Sequence, residues 1–330
     1  MDFERFDPAA GGGPAQACYR SYLAGLPHDD PRGPAMSARV FAGWLALGWT
    51  EDPSETWLAR SGPGECAAWY VLGLPHRENR KVAMLSMMVH PGSRRSGCGR
   101  ALLRHAADRA RQHGRVLLTG EAAEDSPGSA FARAAGAQQE ITEVRRLLVL
   151  NDIPPGRLPS LRAQAEPSAA GYELRNWAGA APADRQGAVA EIYTEAEDMP
   201  HEEGREPQHW DVERVRMDEH RAAVQGLQNY TVAAVRPGDG RLAGLTRLAV
   251  DPEDPGWGFQ ELTVVARADR GHRLGLLMKV AMLELLAERE PGLTRIITGN
   301  ADANRHMIAI NDALGFTVLD RWPAWQLEIG

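Results

Sequence analysis

The chain has 330 residues, 25% of them charged, and a net charge of −7, a composition typical of a soluble globular protein with room for two domains. The acidic balance argues against nucleic acid as a main partner, because a negative surface repels phosphates. The sequence has no run of 18 apolar residues, no basic and apolar leader at Met1–Arg5, and three scattered cysteines. We therefore expect no membrane span and no disulfide framework, and we predict a cytoplasmic protein.

The first half predicts a domain over residues 1–150 in which strands and helices mix. The predicted strands are apolar runs bounded by turn residues, and the predicted helices are rich in alanine and leucine. Strands are expected near 3–6, 55–60, 66–74, 81–89, 115–119 and 141–150, and helices near 15–24, 35–47 and 129–135, with a further helix that ends near 112.

Residues 151–171 contain four prolines and two glycines, which predicts a linker. The second half repeats the order of the first and predicts a second domain over 172–330. Its strands are expected near 172–177, 229–236, 241–250, 258–266 and 294–298, with two more up to 326, and its helices near 183–196, 212–225, 273–289 and 303–314.

One strand-loop-helix unit occurs twice. In the second half the strand Leu262–Val265 runs into the loop Arg270–Gly275 and a long apolar helix. In the first half Met87–Val89 runs into Arg94–Gly99 and an alanine-rich helix, about 175 residues earlier, which indicates an internal duplication.

Such a loop suits a pyrophosphate. A tight turn before a helix directs the first N–H groups of the helix into one concavity, at the positive end of the helix dipole. Arginines add forked donors for phosphate oxygens. The candidate anion-binding residues are Arg94, Arg95, Gly97 and Gly99 in the first loop and Arg270, Gly271, His272, Arg273, Leu274 and Gly275 in the second.

The second loop is followed by a strand and then by Asn304, Met307, Asn311 and Leu314-Gly315-Phe316 at regular spacing. The loop and this element together resemble the GCN5-related N-acetyltransferase (GNAT) superfamily, once per half, in a tandem layout similar to that of mycothiol synthase. The resemblance implies an α/β fold, with two tandem domains that each have a mixed, mostly antiparallel sheet flanked by helices. It also implies acetyl-CoA as co-substrate, held by the loop, by the strand residues Val264 and Val265, and by Asn304 and Asn311.

The second loop departs from the family pattern at Arg273, a position where glycine is usual. This arginine either binds phosphate or is a solvated residue at the helix start.

Acetyl transfer to an amine needs a proton acceptor, since a free alkylamine is mostly protonated at neutral pH. In this superfamily the base is often a carboxylate on the strand before the loop. Glu261 lies on that strand, and alternation predicts that it shares one face with Thr263 and Val265. Glu261 is either the base or a salt-bridged carboxylate. The corresponding strand of the first half carries no acid, so we expect a catalytic second domain and a catalytically degenerate first domain.

The usual tyrosine acid of the superfamily is replaced by Asn311, which leaves the proton donor to the thiolate unassigned. An acidic segment follows the first helix of the second half and would attract a cationic acceptor, or is simply a solvated loop. Its candidate substrate-binding residues are Glu197, Asp198, His201 and Glu202.

Together these features predict an acetyl-CoA-dependent N-acetyltransferase that acts on the primary amine of a small, cationic molecule through a ternary complex. No metal is expected, because the histidines show no ligand spacing. The alternatives are a protein or peptide N-acetyltransferase and a non-catalytic acyl-CoA-binding sensor, the latter suggested by Asn311 and Arg273.

Overall fold

The computed structural model describes residues 2–48, 50, 52–60, 62, 65–198 and 205–330. Its strands are β1 (Phe3–Phe6), β2 (Ser54–Ala59), β3 (Ala68–Gly73), β4 (Val82–Val89), β5 (Leu117–Glu121), β6 (Gln138–Val149), β7 (Glu173–Ala178), β8 (Gln228–Val235), β9 (Leu242–Val250), β10 (Trp257–Val265), β11 (Arg295–Ala301) and β12 (Thr317–Glu328). Its α-helices are α1 (Gly13–Asp29), α2 (Ala38–Leu47), α3 (Cys98–Gln112), α4 (Pro127–Ala134), α5 (Arg157–Ala165), α6 (Gln186–Glu195), α7 (Val212–Gln225), α8 (Leu274–Arg289) and α9 (Arg305–Leu314).

The chain divides into two compact units. One comprises Met1–Glu143, Glu202–Glu206 and Asp320–Gly330, and the other comprises Val144–His201 and Pro207–Leu319. The prediction of domains over 1–150 and 172–330 differs from this division, because the C-terminal strand hydrogen-bonds to β5 in the first unit, with Ala324 opposite Glu121. Periodicity predicts a strand but not its partner.

The first unit has the strand order β1-β2-β3-β4-β5-β12, in which β4 and β5 are parallel. Alternate residues of β3 supply its two cores. Tyr70 and Leu72 pack with α3, and Trp69 and Val71 pack with α1 and α2, as expected for a strand buried on both faces.

The second unit has the order β6-β11-β10-β9-β8-β7, in which β10 and β11 are parallel and β7 to β10 are antiparallel. On β8, Val232 and Ala234 pack in the same core as α8, while Ala233 and Val235 pack with α6 and α7. The prediction of mixed, mostly antiparallel sheets flanked by helices is confirmed.

The predicted linker is largely helical. Residues 157–165 form α5, whose Leu161 and Ala165 enter the core of the second unit, and Arg162 pairs with Glu284 of α8. Pro154 and Pro155 lie before the helix, Pro159 lies in its first turn, where a missing N–H is tolerated, and Pro167 follows its end, so none of them prevents it. Likewise, the two strands expected at the C-terminus are one strand, β12.

Within the part of the chain that the structure describes, no helix is long and apolar enough to cross a membrane.

Candidate active site

The neighbouring strands β10 and β11 separate halfway along β10. Their parallel pairing runs from Trp257 opposite Arg295 to Gln260 opposite Thr298 and ends there. Beyond this point β10 continues to Val265 and, among the described residues, pairs only with β9. Within the described part of the chain, the edge of Leu262–Val265 that faces β11 thus has no strand partner and can accept an extended ligand.

Backbone direction decides which residues face this open edge. Ala266 N donates to Ala243 O of β9 at 2.8 Å, so alternation directs the Val264 backbone toward β9 and the backbones of Thr263 and Val265 toward the split. Of the two strand residues expected to hold acetyl-CoA, the structure places Val265 at the open edge and Val264 in the core beside α6 and α7.

A β-bulge lies at Glu261. The pairing of β10 with β9 shifts between Gln260, opposite Leu248, and Leu262, opposite Arg247, which leaves Glu261 as the extra residue. Its side chain is only 22% exposed although the residue as a whole is exposed, so its backbone is open to solvent. An exposed backbone at the start of the split is where an N–H donor for a developing oxyanion is needed.

The Glu261 carboxylate is paired with Arg247, which is 8% exposed. Arg247 Nε donates to Glu261 Oε2 at 2.5 Å, and its Nη1 donates to Asp218 Oδ2 at 2.5 Å and to the Tyr193 hydroxyl at 2.8 Å. Burial acts to lower the pKa of Arg247, but Glu261, Tyr193 and Asp218 raise it well above its ordinary value. The salt-bridged alternative for Glu261 is realised at Oε2, and Oε1 receives no hydrogen bond from the described residues.

The bulge also changes the face on which Glu261 lies. Thr263 and Val265 face α8, since their methyl groups lie 3.9 Å from the position of a Cβ at Gly275. Glu261 instead faces α6 and α7 through Arg247. The expectation that all three share a face is wrong, because one inserted residue reverses the alternation.

The two glycine loops have the same backbone. The positive φ values are 64° at Arg95 and 88° at Gly97 in the first loop, and 87° at Gly271 and 55° at Arg273 in the second. Gly97 and Arg273 are the N-cap residues of α3 and α8, and neither helix receives a side-chain cap from the described residues. The first-turn N–H groups therefore remain available to an anion.

The last glycine of each loop, Gly99 in the first and Gly275 in the second, is required for packing. A Cβ at Gly275 would lie 3.2 Å from Ile310 of α9, and one at Gly99 would lie 3.2 Å from Phe131 of α4. Glycine here brings each loop helix close to the next helix. The space beside Gly271 is open, with no atom within 4 Å of a Cβ placed there. The second loop therefore fits a pyrophosphate.

The first arginine of each loop braces the loop internally. Arg270 Nε donates to Val265 O at 3.2 Å and its Nη2 pairs with Asp198 at 2.6 Å. In the first unit Arg94 Nε donates to Val89 O at 3.0 Å and its Nη2 pairs with Asp29 at 2.6 Å. Both were candidates for phosphate binding, but the structure places them between the strand end and an acid.

His272 contacts the segment that follows α5, and Arg273 contacts the last turn of α5. His272 Nδ1 lies 2.9 Å from Ser168 O, and its ring lies 5.3 Å from that of Tyr172. Arg273 Nη1 is 3.4 Å from Gln164 O, a long contact, and the residue is exposed. Leu274, the first residue of α8, is buried, so only its N–H can serve a ligand.

The turn before the second loop is fixed by Asp269, which is 3% exposed. It accepts hydrogen bonds from Arg236 at 2.5 Å and from the Tyr172 hydroxyl at 2.8 Å. Burial acts to raise the pKa of Asp269, but these two partners outweigh it and lower the pKa.

The acidic candidates for substrate binding are partly engaged. Glu197 Oε2 accepts from Gln208 N at 3.0 Å, and Asp198 pairs with Arg270. His201 and Glu202 lie outside the described residues.

Asn304 and Asn311 have structural contacts. The Asn304 side chain caps α9 by accepting from Met307 N at 3.2 Å. Asn311 is fully buried, accepts from Lys279 Nζ at 2.5 Å and donates to Asn300 Oδ1 at 2.7 Å. Lys279 itself is only 2% exposed, and none of the sequence motifs marks it as a site residue. A lysine on a helix that is apolar on nearly every side was the available signal of burial.

Comparisons with known proteins agree with this geometry. The profile of the acetyltransferase (GNAT) family matches residues 16–136. The mycothiol acetyltransferase of Thermomonospora curvata is 30% identical over 235 residues, which are 70% of this chain and 69% of that protein. A solved tandem GNAT protein from the clavulanic acid biosynthesis pathway is 30% identical with a TM-score of 0.82, over 100% of this chain and 98% of that one.

A GCN5-related N-acetyltransferase from Sphaerobacter thermophilus shares the fold, with a TM-score of 0.68 and 19% identity over 99% of this chain and 95% of that one. The profile match lies in the first half, which retains one of the two glycine loops. The predictions of family and enzyme class are thus confirmed. The chain belongs to the acetyltransferase (GNAT) family and is a tandem N-acetyltransferase.

Proposed function

We propose that the second unit transfers an acetyl group from acetyl-CoA directly to the primary amine of a small, cationic molecule. The observation that carries this proposal is the bulge at Glu261, which sets a carboxylate and a solvent-exposed backbone close to the point where β10 and β11 separate. The loop before α8 lies at the end of the same strand. These are the three elements that thioester transfer to an amine requires.

Each element has one role. The N–H groups at the start of α8 bind the pyrophosphate, with Gly271 leaving room for it. The backbones of Thr263 and Val265 pair with the extended arm of the substrate, and Arg270 holds the Val265 carbonyl in place. Glu261 accepts the amine proton at Oε1, while Arg247 holds Oε2 and fixes the orientation.

Direct transfer, through a complex of both substrates, is supported by the positions of the cysteines. Cys18, Cys66 and Cys98 are all buried and all belong to the first unit. The second unit therefore has no thiol to carry the acetyl group between substrates.

The acceptor is expected on the face of α6 and α7, because Glu261 is directed there. This face carries Asp218 and Glu219, and an acidic segment begins with Glu195 at the end of α6 and continues with Glu197 and Asp198. Burial raises the pKa of Glu219 above its ordinary value. Negative charge around the bulge favours an acceptor with a positive charge besides the reacting amine.

We assign no transfer step to the first unit. Its strand β4 pairs with β3 from Met84 to Val89 without a register shift, so it has no bulge in this register. The residue at the same distance from the bracing arginine as Glu261 is Leu85, which cannot take a proton. This unit keeps the loop geometry and therefore the capacity for anion binding.

The test is release of the CoA thiol from acetyl-CoA in the presence of polyamines, aminoglycosides, amino sugars, amino acids and short peptides. Thiol release with small cationic amines supports the proposal. Release only with peptides would favour the protein or peptide acetyltransferase. Acetyl-CoA binding without release for any amine would favour the sensor.

A further inference from the structure

Lys279 is a buried lysine without an acidic partner among the described residues. It lies on α8, its Nζ donates to Asn311 Oδ1 at 2.5 Å, and its charge lies 5.1 Å from the centre of the Phe316 ring. Burying an ammonium group without a counter-ion is costly. Burial alone accounts for the pKa of Lys279, which falls from 10.5 to about 7. The side chain can therefore both hold and release a proton near neutral pH.

Several charged groups on the surrounding elements are paired elsewhere. They include Arg162 of α5 with Glu284 of α8, Asp312 of α9 with Arg146 of β6, and the hydroxyl of Tyr230 of β8 with Glu290 after α8. Arg247 of β9 and Glu261 of β10 bind each other on the opposite side of the sheet, with α6 and α7. Within the described part of the chain, burial is the cause of the lowered pKa of Lys279, and no neighbouring charge offsets it.

The position of Lys279 relates it to the split between β10 and β11. Gly275, one helical turn earlier on the same face of α8, lies against Thr263, Val265 and Ile310. Asn311, which accepts from Lys279, donates to Asn300 at 2.7 Å. Asn300 lies two residues beyond Thr298, the last residue of β11 that pairs with β10. A hydrogen-bonded chain therefore leads from Lys279 to the diverging part of β11.

We propose that Lys279 donates the proton to the thiolate that leaves when acetyl-CoA gives up its acetyl group, with Asn311 and Asn300 as positioning residues. This rests on the function proposed for the second unit. The amine nitrogen bonds to the acetyl carbon, the carbon–sulfur bond breaks with its electron pair on sulfur, and a proton moves from Nζ to sulfur. The amine loses one proton to Glu261, which returns it to solvent, and neutral Lys279 recovers one from solvent. The proton acceptor, Glu261, and the proton donor, Lys279, thus lie on opposite faces of the sheet.

The chain offers an internal control, because it contains two lysines, Lys279 and the exposed Lys81. NMR of protein labelled with ¹³C at the lysine Cε position should show two signals, of which the first, from Lys279, titrates near pH 7 and the second, from Lys81, serves as a reference. Addition of acetyl-CoA should shift the first signal and leave the second unchanged. This measurement needs no turnover and no acceptor.

The matching kinetic test compares Lys279→Met with Lys81→Met on the amine that the thiol-release panel identifies. We expect Lys279→Met to lower kcat by about 100-fold or more, with acetyl-CoA affinity nearly unchanged. An acid is active only when protonated, so wild-type kcat should fall as pH rises through about 7, and the variant should lose that fall. Lys81→Met should behave as wild type.

Three results would overturn the proposal. One is a Lys279→Met variant that keeps the kcat and the pH profile of the wild type. Another is weakened acetyl-CoA binding with unchanged kcat, which would make Lys279 a ligand of the co-substrate. The third applies if the variant does not fold, and it is a wild-type Lys279 signal that titrates above pH 9 and does not shift when acetyl-CoA is added. A wild type that releases no thiol with any amine refutes the proposed function itself, which is a distinct outcome.

Discussion

Replacing Glu261 by glutamine tests the base directly. The substitution preserves the shape of the side chain and its ability to accept a hydrogen bond from Arg247 Nε, but removes the charge. Arg247 keeps its ion pair with Asp218 at 2.5 Å, so no buried charge is left without a partner. We therefore expect a folded protein, destabilised by about 1–2 kcal/mol through the weaker hydrogen bond.

The expected kinetic effect is larger than the structural one. Loss of a general base lowers kcat by about 100- to 10,000-fold, or about 3–5 kcal/mol of barrier. Because the pyrophosphate loop and the strand edge are untouched, the affinity for acetyl-CoA should remain nearly constant. The assay is thiol release under saturating acetyl-CoA at several pH values, with binding measured separately by calorimetry.

A suitable control is Glu173→Gln, which removes another ion-paired glutamate on a strand of the same unit, 2.5 Å from Arg175. It should leave kcat unchanged. If Glu261→Gln also retains the wild-type rate across the pH range, Glu261 serves only to pair Arg247. A rise in KM for acetyl-CoA at constant kcat would equally refute the role of base.

Three further predictions follow from the loops and from the first unit. Arg273→Gly should raise the free energy of unfolding, measured by chemical denaturation, by about 1 kcal/mol, because glycine relieves the strain at a positive φ. Gly97→Arg should lower the free energy of unfolding by a similar amount, because it introduces the same strain. His272→Glu should weaken acetyl-CoA turnover at least 10-fold by opposing the pyrophosphate, whereas Ser96→Glu at the matching position should leave kcat unchanged if the second unit is catalytic. Burial acts to raise the pKa of Glu55, but its hydrogen bonds outweigh this effect and lower the pKa to about 2. The stability of the wild type should therefore fall as the pH drops from about 4.5 toward 2. The Glu55→Gln variant should be less stable than the wild type at neutral pH and should lose less stability over this pH range.

The sequence predicts local geometry better than it predicts partners. Gly97 and Gly271 indicate turns with positive φ because that requirement lies within the residue itself. The bulge at Glu261 depends on the register between β10 and β9, which local alternation does not contain, so the predicted face was wrong. The burial of Lys279 was missed for the same reason, since a single lysine on an apolar helix gains its environment only from α9 and Phe316.

The position of the C-terminal strand has a similar cause. Periodicity identified a strand near the end of the chain, but its hydrogen bonds to β5 join residues more than 200 positions apart. For the proline-rich segment, the sequence predicted too little structure. Its prolines lie before α5, in its first turn or beyond its end, so composition predicted a linker where Leu161 and Ala165 belong to a packed helix.

The two loops show what holds this site in shape. In the first, Arg95 and Gly97 have positive φ, and in the second the order is reversed, with Gly271 and Arg273. Each loop thus carries one arginine in a conformation that costs about 1 kcal/mol or more. Glycine alone therefore does not determine the turn.

What the loops share is the brace, in which Arg94 or Arg270 binds the carbonyl five residues before it and an acid that follows or ends a helix. This brace fixes the strand end and the helix start together, so the anion site persists in both units whichever residue takes the strain. The difference in chemistry must then lie on the strand, where Glu261 at a bulge contrasts with Leu85 in an unbroken ladder. If this reasoning is correct, Asp198→Ala should loosen the second loop and weaken acetyl-CoA binding without altering the pH dependence of kcat.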